Sequence, residues 1–403
     1  MTQIGTDGFN GHWINDPVHR AFLENDAHAQ LSFYRKALRS DGAYDVLAID
    51  GTPIAGSAQQ LHNTTRMVHS YALASLWGAK GHDDMIDAGM AFLWNQHRDT
   101  THGGYVYGLK DGAIVDDKKL AYGHVFVLLA GSSAKNIGHP DADRLIIDAA
   151  EVLDTRFWDD DAGLFFDEFN RDWSPFSTYR GYNANMHGVE ALLAAYEATG
   201  ESLFLTRAGR ILSFFMETIA PSHDWRLPEH YTPNWTPDLT YQGDPMFRPR
   251  GTTPGHSFEL GRLYLQYWDL AGRKDDGSVE RARSLIETAL NDAWVEGGGF
   301  VYTLDYSGAP QVTDRYWWPL TEAIGAMVSL IKLDGRDNDE AWYRRLWQAA
   351  SDLFIDHENG GWFHEVDANG KPAEKQFIGK PDHYHAIQAD LFPLDQRLTR
   401  LFT

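Results

Sequence analysis

His256 and Glu259 stand three residues apart at the head of an apolar run, Leu260 to Leu270. A helix there carries both on one face of its first turn. Imidazole titrates near neutral pH, and a neighbouring carboxylate fixes its tautomer and raises its basicity, so this pair has the means to move protons. Pro254 and Gly255 suit a tight entry to that helix. The same spacing also serves a capped helix start in which His256 satisfies only a backbone group, so the pair acquires meaning from what else converges on it.

Polar residues that are hard to justify in a core recur at the starts of other helical runs. Arg66 follows His62, Asn63, Thr64 and Thr65; Tyr122 and His124 lie within Leu120 to Leu129; Asn183, His187 and Glu190 open another run. Trp318 and Glu322 open a further one, and His383 and His385 precede Ala386 to Phe392. Asn183 with His187, and Trp318 with Glu322, are four apart and share a helix face. If alternate helices form an inner ring, their N-termini face one mouth, where partial positive charge suits a developing oxyanion.

Metal chemistry has weak support despite 18 histidines. His383-x-His385 offers a two-residue chelate, but there is no His-Glu-x-x-His helix and no cysteine. Gly-x-Gly-x-x-Gly, P-loop and Gly-x-Ser-x-Gly patterns are absent. Nucleotide cofactors are therefore not indicated.

The elements that must position these residues are helices. Apolar residues at three- and four-residue intervals predict helices over Ala21–Leu38, Thr65–Trp77, Asp84–Trp94, Lys118–Leu129, Ala142–Phe157 and Asn183–Ala198. The same pattern continues over Leu203–Ile219, His256–Leu270, Val279–Ala293, Trp318–Leu333, Asp339–Phe354 and Tyr384–Phe392. That makes about twelve helices in about six pairs, read as Ala142–Phe157 with Asn183–Ala198 and Leu203–Ile219 with His256–Leu270. Between them an acidic–glycine–aromatic punctuation recurs at Asp99–Tyr105, Asp159–Phe166, Glu296–Phe300 and Asp356–Trp362, with a weaker relative at His223–Trp225. The repeat is about 60 residues long, and its short aromatic segments predict small β-hairpins.

Hairpins of helices that cannot bury their apolar faces alone must stack, and about six of them can close into a toroid. The expected fold is therefore all-α, an (α/α)6 barrel with short β-hairpins in its connections. No linker or composition shift divides residues 1–403, so one catalytic domain is expected. Ser222–Thr253 is a long loop rich in proline, including Pro245, and in aromatics; it leads into His256 and has the character of a binding loop or lid.

The balance of 35 Lys and Arg against 57 Asp and Glu gives a net charge of -22 and argues against nucleic-acid or anionic-membrane partners. With no cysteine, no signal-like N-terminus and no apolar run long enough to span a bilayer, a cytoplasmic protein acting on a neutral small molecule is expected. The 14 tryptophans are compatible with a carbohydrate site as well as with core packing. Homo-oligomerisation is left open.

Five segments in joint order carry a resemblance: Asn63–His69 around Arg66, Asn183–Glu190, Arg248–Glu259, Trp317–Glu322 and Gly379–Gln388, with its Gly-Lys-Pro-Asp-x-Tyr-His run. The chain resembles the N-acylglucosamine 2-epimerase superfamily of (α/α)6 barrels, most of all its D-mannose isomerase and sulfoquinovose isomerase branch. The resemblance implies that His256 and His385 are catalytic, with no metal or cofactor, and that the substrate is a monosaccharide. It places Arg66, Asn183, His187, Glu259 and Glu322, and less firmly Tyr122 and Trp318, at substrate-binding or supporting positions. The implied reaction removes the C2 proton of an open-chain aldose and reprotonates a cis-enediol, at C1 in isomerases or on the other face of C2 in epimerases. His256, oriented by Glu259, is expected to act in ring opening and at the sugar oxygens; His385 is expected to be the carbon base. A sulfonated substrate needs a cation, for which Arg248, Arg250 and Lys380 are candidates. A glycoside hydrolase, which needs paired carboxylates, and a non-catalytic sugar-binding toroid are the readings from other classes.

Overall fold

The structure, a computed structural model, describes residues 3–244 and 246–403; Pro245 lies outside the described residues. Twelve helices of eight residues or more order it among those residues: α1 (Pro17–Tyr34), α2 (Leu61–Trp77), α3 (Asp83–Phe92), α4 (Ala121–Asn136), α5 (Ala142–Val152) and α6 (Tyr182–Thr199). They continue with α7 (Ser202–Leu212), α8 (Pro254–Leu270), α9 (Ser278–Ala293), α10 (Trp317–Leu333), α11 (Asp337–Ala349) and α12 (Tyr384–Leu391). Helices α3, α5, α7 and α11 finish in wider π-helical turns, which carry α5, α7 and α11 to the ends their periodicity predicts and α3 three residues past Trp94, to His97. None of the helices is long and apolar enough to cross a membrane among the described residues.

Helices α2, α4, α6, α8, α10 and α12 form an inner ring, each touching the next, with α12 returning to α2. Their burial reflects this: Trp317 to Ile331 of α10 is buried residue by residue, whereas outer α5 buries one stripe. The barrel expected from the sequence is the barrel observed. The pairing differs from expectation, since each inner helix packs on the outer helix that follows it, α6 on α7 and α10 on α11, rather than on the one before. The connection lengths explain this, because tight turns such as Gly200–Glu201 force antiparallel packing while the outer-to-inner connections are long. The twelfth helix therefore pairs with the first: α12 packs on α1.

Five of the long connections are strapped in an identical way by short antiparallel pairs at the inner-helix entries. Gln59–Gln60 pairs with Gly108–Leu109, Lys119–Leu120 with Glu168–Phe169, Arg180–Gly181 with His230–Tyr231, and Arg315–Tyr316 with Glu365–Val366. Thr252 bridges Leu304 in the same manner, and Lys380 bridges Leu47 to close the sixth position. The acidic–glycine–aromatic punctuation marks the turns beneath these straps. Fully buried Lys119 donates to Asp99 (2.9 Å) and Gly103 O (2.9 Å), and fully buried Lys380 to Asp356 (2.7 Å) and Gly360 O (2.8 Å). Arg315 donates to Gly298 O at 2.8 Å in the corresponding place.

The clasp between chain ends contains two buried carboxyl groups. Asp26 of α1 and Asp390 of α12 share Gln30, whose Nε2 donates to both (3.0 and 2.5 Å), and Trp362 donates to Asp26 at 2.8 Å. Burial raises both groups, and the neighbouring Asp26 raises Asp390 further, well above the carboxylate range. A carboxyl raised in the folded state binds its proton more tightly there, so its stabilising contribution is complete below the unfolded pKa and is lost as pH rises through the folded one. Asp390→Asn is therefore expected to raise the melting temperature, with a gap over the wild type that widens from about pH 4 upward. Thermal unfolding across pH 4–9 checks this; a pH-independent gap would refute it.

Candidate functional site

Because the six inner helices run parallel, their N-termini surround one mouth, and most of the first-turn residues singled out in the sequence meet there; His124 does not, since its Nε2 accepts from the Tyr105 amide (3.0 Å) and its Nδ1 lies 2.7 Å from Leu120 O. Arg66 of α2 is buried, donates to Tyr122 Oη at 2.9 Å, pairs with Asp382 at 3.5 Å, and lies 4.8 Å from the ring centroids of Phe126 and Tyr384. Asn183 faces the mouth half-buried, with an unpartnered Oδ1. His187, one turn deeper on α6, sits 3.3 Å from Glu259 and 3.7 Å from Glu190, and burial lowers it to about 4, so it is neutral.

His256 departs from the expected arrangement: Glu259 does not orient it. Its Nδ1 lies 3.0 Å from each carboxylate oxygen of Glu229, which the loop between α7 and α8 supplies. Although the two residues share a helix face, Glu259 points down the barrel axis toward His187, whereas His256, at the very entry, leans outward to the loop.

His385 forms a second dyad. Its Nδ1 contacts Glu322 Oε1 at 2.7 Å, and the other oxygen of Glu322 accepts from Arg262 Nη2 at 3.0 Å. Burial lowers the His385 pKa more than Glu322 raises it, so the ring is neutral, with Nδ1–H donating to the carboxylate. Nε2, with its lone pair, then has no hydrogen-bond partner among the described residues. Burial would raise Glu322, but the Arg262 charge and the His385 hydrogen bond carry it below the usual carboxylate range. His383, two residues away, does not join it. It stacks on Tyr34 (4.6 Å) and faces Tyr71 (5.2 Å) at the outside of α12, so the His383-x-His385 chelate does not form.

The Trp318 indole spans the two dyads, 5.1 Å from the His256 ring and 5.9 Å from His385. It fits only because residue 255 is glycine: a Cβ there would stand 2.6 Å from Trp318 Cη2 and 3.0 Å from Cε3. Gly255→Ala is accordingly expected to fold with a loss of about 1–3 kcal/mol and to lose about tenfold or more in kcat/KM as the indole shifts. Steady-state kinetics beside urea unfolding separate the two effects.

Below this layer Glu259 is fully buried, and neither oxygen has a hydrogen-bond partner. Burial, with Glu322 and Glu190 close by, pushes its carboxyl well above the ordinary range, which favours the protonated form. Glu190 is held ionised by His187 and Arg262, against the effect of burial, and accepts the Tyr384 hydroxyl. Ligand atoms of His187, Glu190 and Glu259, and again of Glu259, Glu322 and His385, lie within 4.8 Å of one another, close enough to hold a cation. Arg262 already neutralises Glu322 there, with Nη2 4.0 Å from Glu259, so the charge a cation would balance is largely compensated. Glu229, Arg262, Asp382 and Tyr384 are the site residues that the sequence reading missed as individuals, although Asp382 and Tyr384 fall inside its Gly-Lys-Pro-Asp-x-Tyr-His run.

The cations considered for a sulfonated ligand are committed elsewhere or exposed. Arg248 makes a two-pronged pair with Glu168 (2.6 and 3.2 Å), Lys380 is buried beneath its strap, and Arg250 is on the surface.

Comparison with known proteins places this arrangement. Residues 42–389 match the family model for N-acylglucosamine 2-epimerase (GlcNAc 2-epimerase). The chain is 37% identical over 389 residues to D-mannose isomerase of Thermobifida fusca, covering 95% of this chain and 96% of that protein. It is 38% identical over 392 residues to D-mannose isomerase of Pseudomonas cannabina pv. alisalensis, covering 95% and 94%. A crystal structure of D-mannose isomerase superposes with a TM-score of 0.88 at 30% identity, covering 93% of this chain and 97% of the other. The chain therefore belongs to the N-acylglucosamine 2-epimerase family.

Proposed function

We propose that the chain is an aldose–ketose isomerase interconverting D-mannose and D-fructose through a cis-enediol, with residues 1–403 acting as one catalytic unit. The observation that carries the reading is the pair of carboxylate-held imidazoles, His385–Glu322 and His256–Glu229, on either side of Trp318. Full-length similarity to D-mannose isomerases supports the choice of sugar.

In this reading His256 assists ring opening and exchanges protons at the sugar oxygens, with Glu229 fixing its tautomer. His385 Nε2 takes the C2 proton, leaving an enediolate, and returns the proton to C1 once the oxygens have exchanged theirs. Arg66 faces the negative charge that develops on the enediolate oxygens, where a pre-aimed donor is most effective. Glu259, 3.3 Å from His187, supports that imidazole from below, while Asn183, His187 and Tyr122 hold the hydroxyls. Trp318 provides an apolar face for the carbon skeleton. A 2-epimerase would use the same proton abstraction and differ only in where the proton returns.

Proton NMR of D-mannose with the protein in D₂O, with a chelator present, tests this. Fructose carrying deuterium at C1 is the expected product. Glucose deuterated at C2 as the main product would replace the reading by an epimerase, and no exchange with any aldose would leave a sugar-binding toroid.

A further inference from the structure

The inner helices enclose a second chamber at their C-terminal end. It has a volume of about 240 Å³ and lies on the far side of the Glu190–Arg262 layer from the mouth, beneath residues 398–403 of the C-terminal tail. This is far more space than a single ordered water occupies. Leu129 and Leu193 wall it; His69, Gln388, Glu190 and Arg262 are the polar residues on its inner side, and Glu197 and Arg400 lie on the side of the tail.

Two of those polar groups lack partners. Gln388, 2% exposed and one turn beyond His385, has an unbonded Nε2. The Oγ of Ser133 donates to Leu129 O (2.9 Å), so the 2.7 Å contact between Ser133 Oγ and His69 Nδ1 has the imidazole as donor. His69 Nε2, also unpartnered, is then an acceptor. The residues lining the chamber thus include an orphan donor and an orphan acceptor beside an ionised carboxylate and a guanidinium that offset each other. A hydroxyl both donates and accepts, which meets all four groups without adding charge. The leucine walls suit C–H faces.

We propose that this rear chamber is a second ligand site, for a small neutral polyol, distinct from the substrate mouth. The tail is its door: Lys332 holds Phe392 O (2.7 Å) and Arg397 O (2.8 Å), and the Arg400 amide donates to Glu197 at 2.8 Å. Occupancy is coupled to the chemistry because Arg262 lines the chamber and also holds Glu322, which holds His385. A hydroxyl on Arg262 or Glu190 therefore changes the dyad of the carbon base without touching the sugar.

Erythritol is the probe. Calorimetric titration of the wild type is expected to show binding that Ala194→Phe, which fills the chamber from the α6 wall, weakens by about tenfold or more. A crystal soaked in erythritol is expected to show it between Gln388 and His69. These two readouts are independent of the isomerase reading. The kinetic consequence, which rests on that reading, is a change of about twofold or more in kcat for mannose that Ala194→Phe removes. Water alone in the soaked chamber, or purely competitive inhibition unchanged by Ala194→Phe, would overturn the proposal. Should that variant fail to fold, the soaked wild-type crystal decides.

Discussion

His385→Ala is expected to lower kcat by about 10³-fold, inside the ~10²–10⁴ range of a positioned acid/base group, and to stop deuterium from entering product at C1. The residue is 5% exposed and bonded only through Nδ1, so the fold should tolerate its loss better than it tolerates the loss of a buried charge. His385→Asn, which can still donate to Glu322, should keep wild-type stability and be equally inactive. Solvent exchange at C2 read by NMR, beside a melting curve for each variant, checks the assignment. Retained exchange in a folded variant would move the carbon base elsewhere, with His256 the first candidate.

Arg262→Leu is expected to destabilise the protein by about 3–5 kcal/mol, because it strands buried Glu322 and Glu190 without their shared cation. It should also cost activity, since Glu322 would then favour its protonated form and no longer accept from His385. Adding Glu322→Gln to Arg262→Leu should restore part of the stability but none of the activity, a split that urea unfolding and kinetics on the double-mutant cycle would reveal. Equal losses from the single and double variants would mean that Arg262 acts through packing alone.

Arg66, Asn183, His187, His256, Trp318, Glu322 and His385 were legible in the sequence because each is a polar residue in the first turns of an otherwise apolar helix, and a parallel ring must bring first turns together. Local periodicity carries that much. It could not assign partners. Glu229 lies 27 residues before His256 in a proline-rich loop, where nothing periodic marks it. Arg262 reads as one more charge within a helix, and its partner Glu322 is 60 residues away. Spacing alone therefore points to the nearer Glu259 as the orienting group for His256, although three-residue spacing fixes a shared face and not a shared direction along the axis. Lys380 fails in the opposite sense: a candidate cation for a sulfonated ligand, within the Gly-Lys-Pro-Asp-x-Tyr-His run, instead pins a turn of the repeat through Asp356 and Gly360 O.

The closing hairpin of α1 and α12 is the one pair whose members sit at opposite ends of the chain, and Gln30 reaches Asp390 across 360 residues. Translation makes this a question of timing. At about 5–20 residues per second, roughly 18–72 s separates Gln30 from Asp390. Late in that interval, once α11 has emerged, the five hairpins from α2–α3 to α10–α11 are free to form an open crescent whose inner edges are α2 and α10. The last helix to emerge both seals that crescent and carries His385, so every incomplete chain lacks the proposed carbon base. On the proposed role of His385, proton transfer switches on only with ring closure, and a chain released before α12 presents two unsealed apolar edges to the quality-control machinery instead of a partly working site.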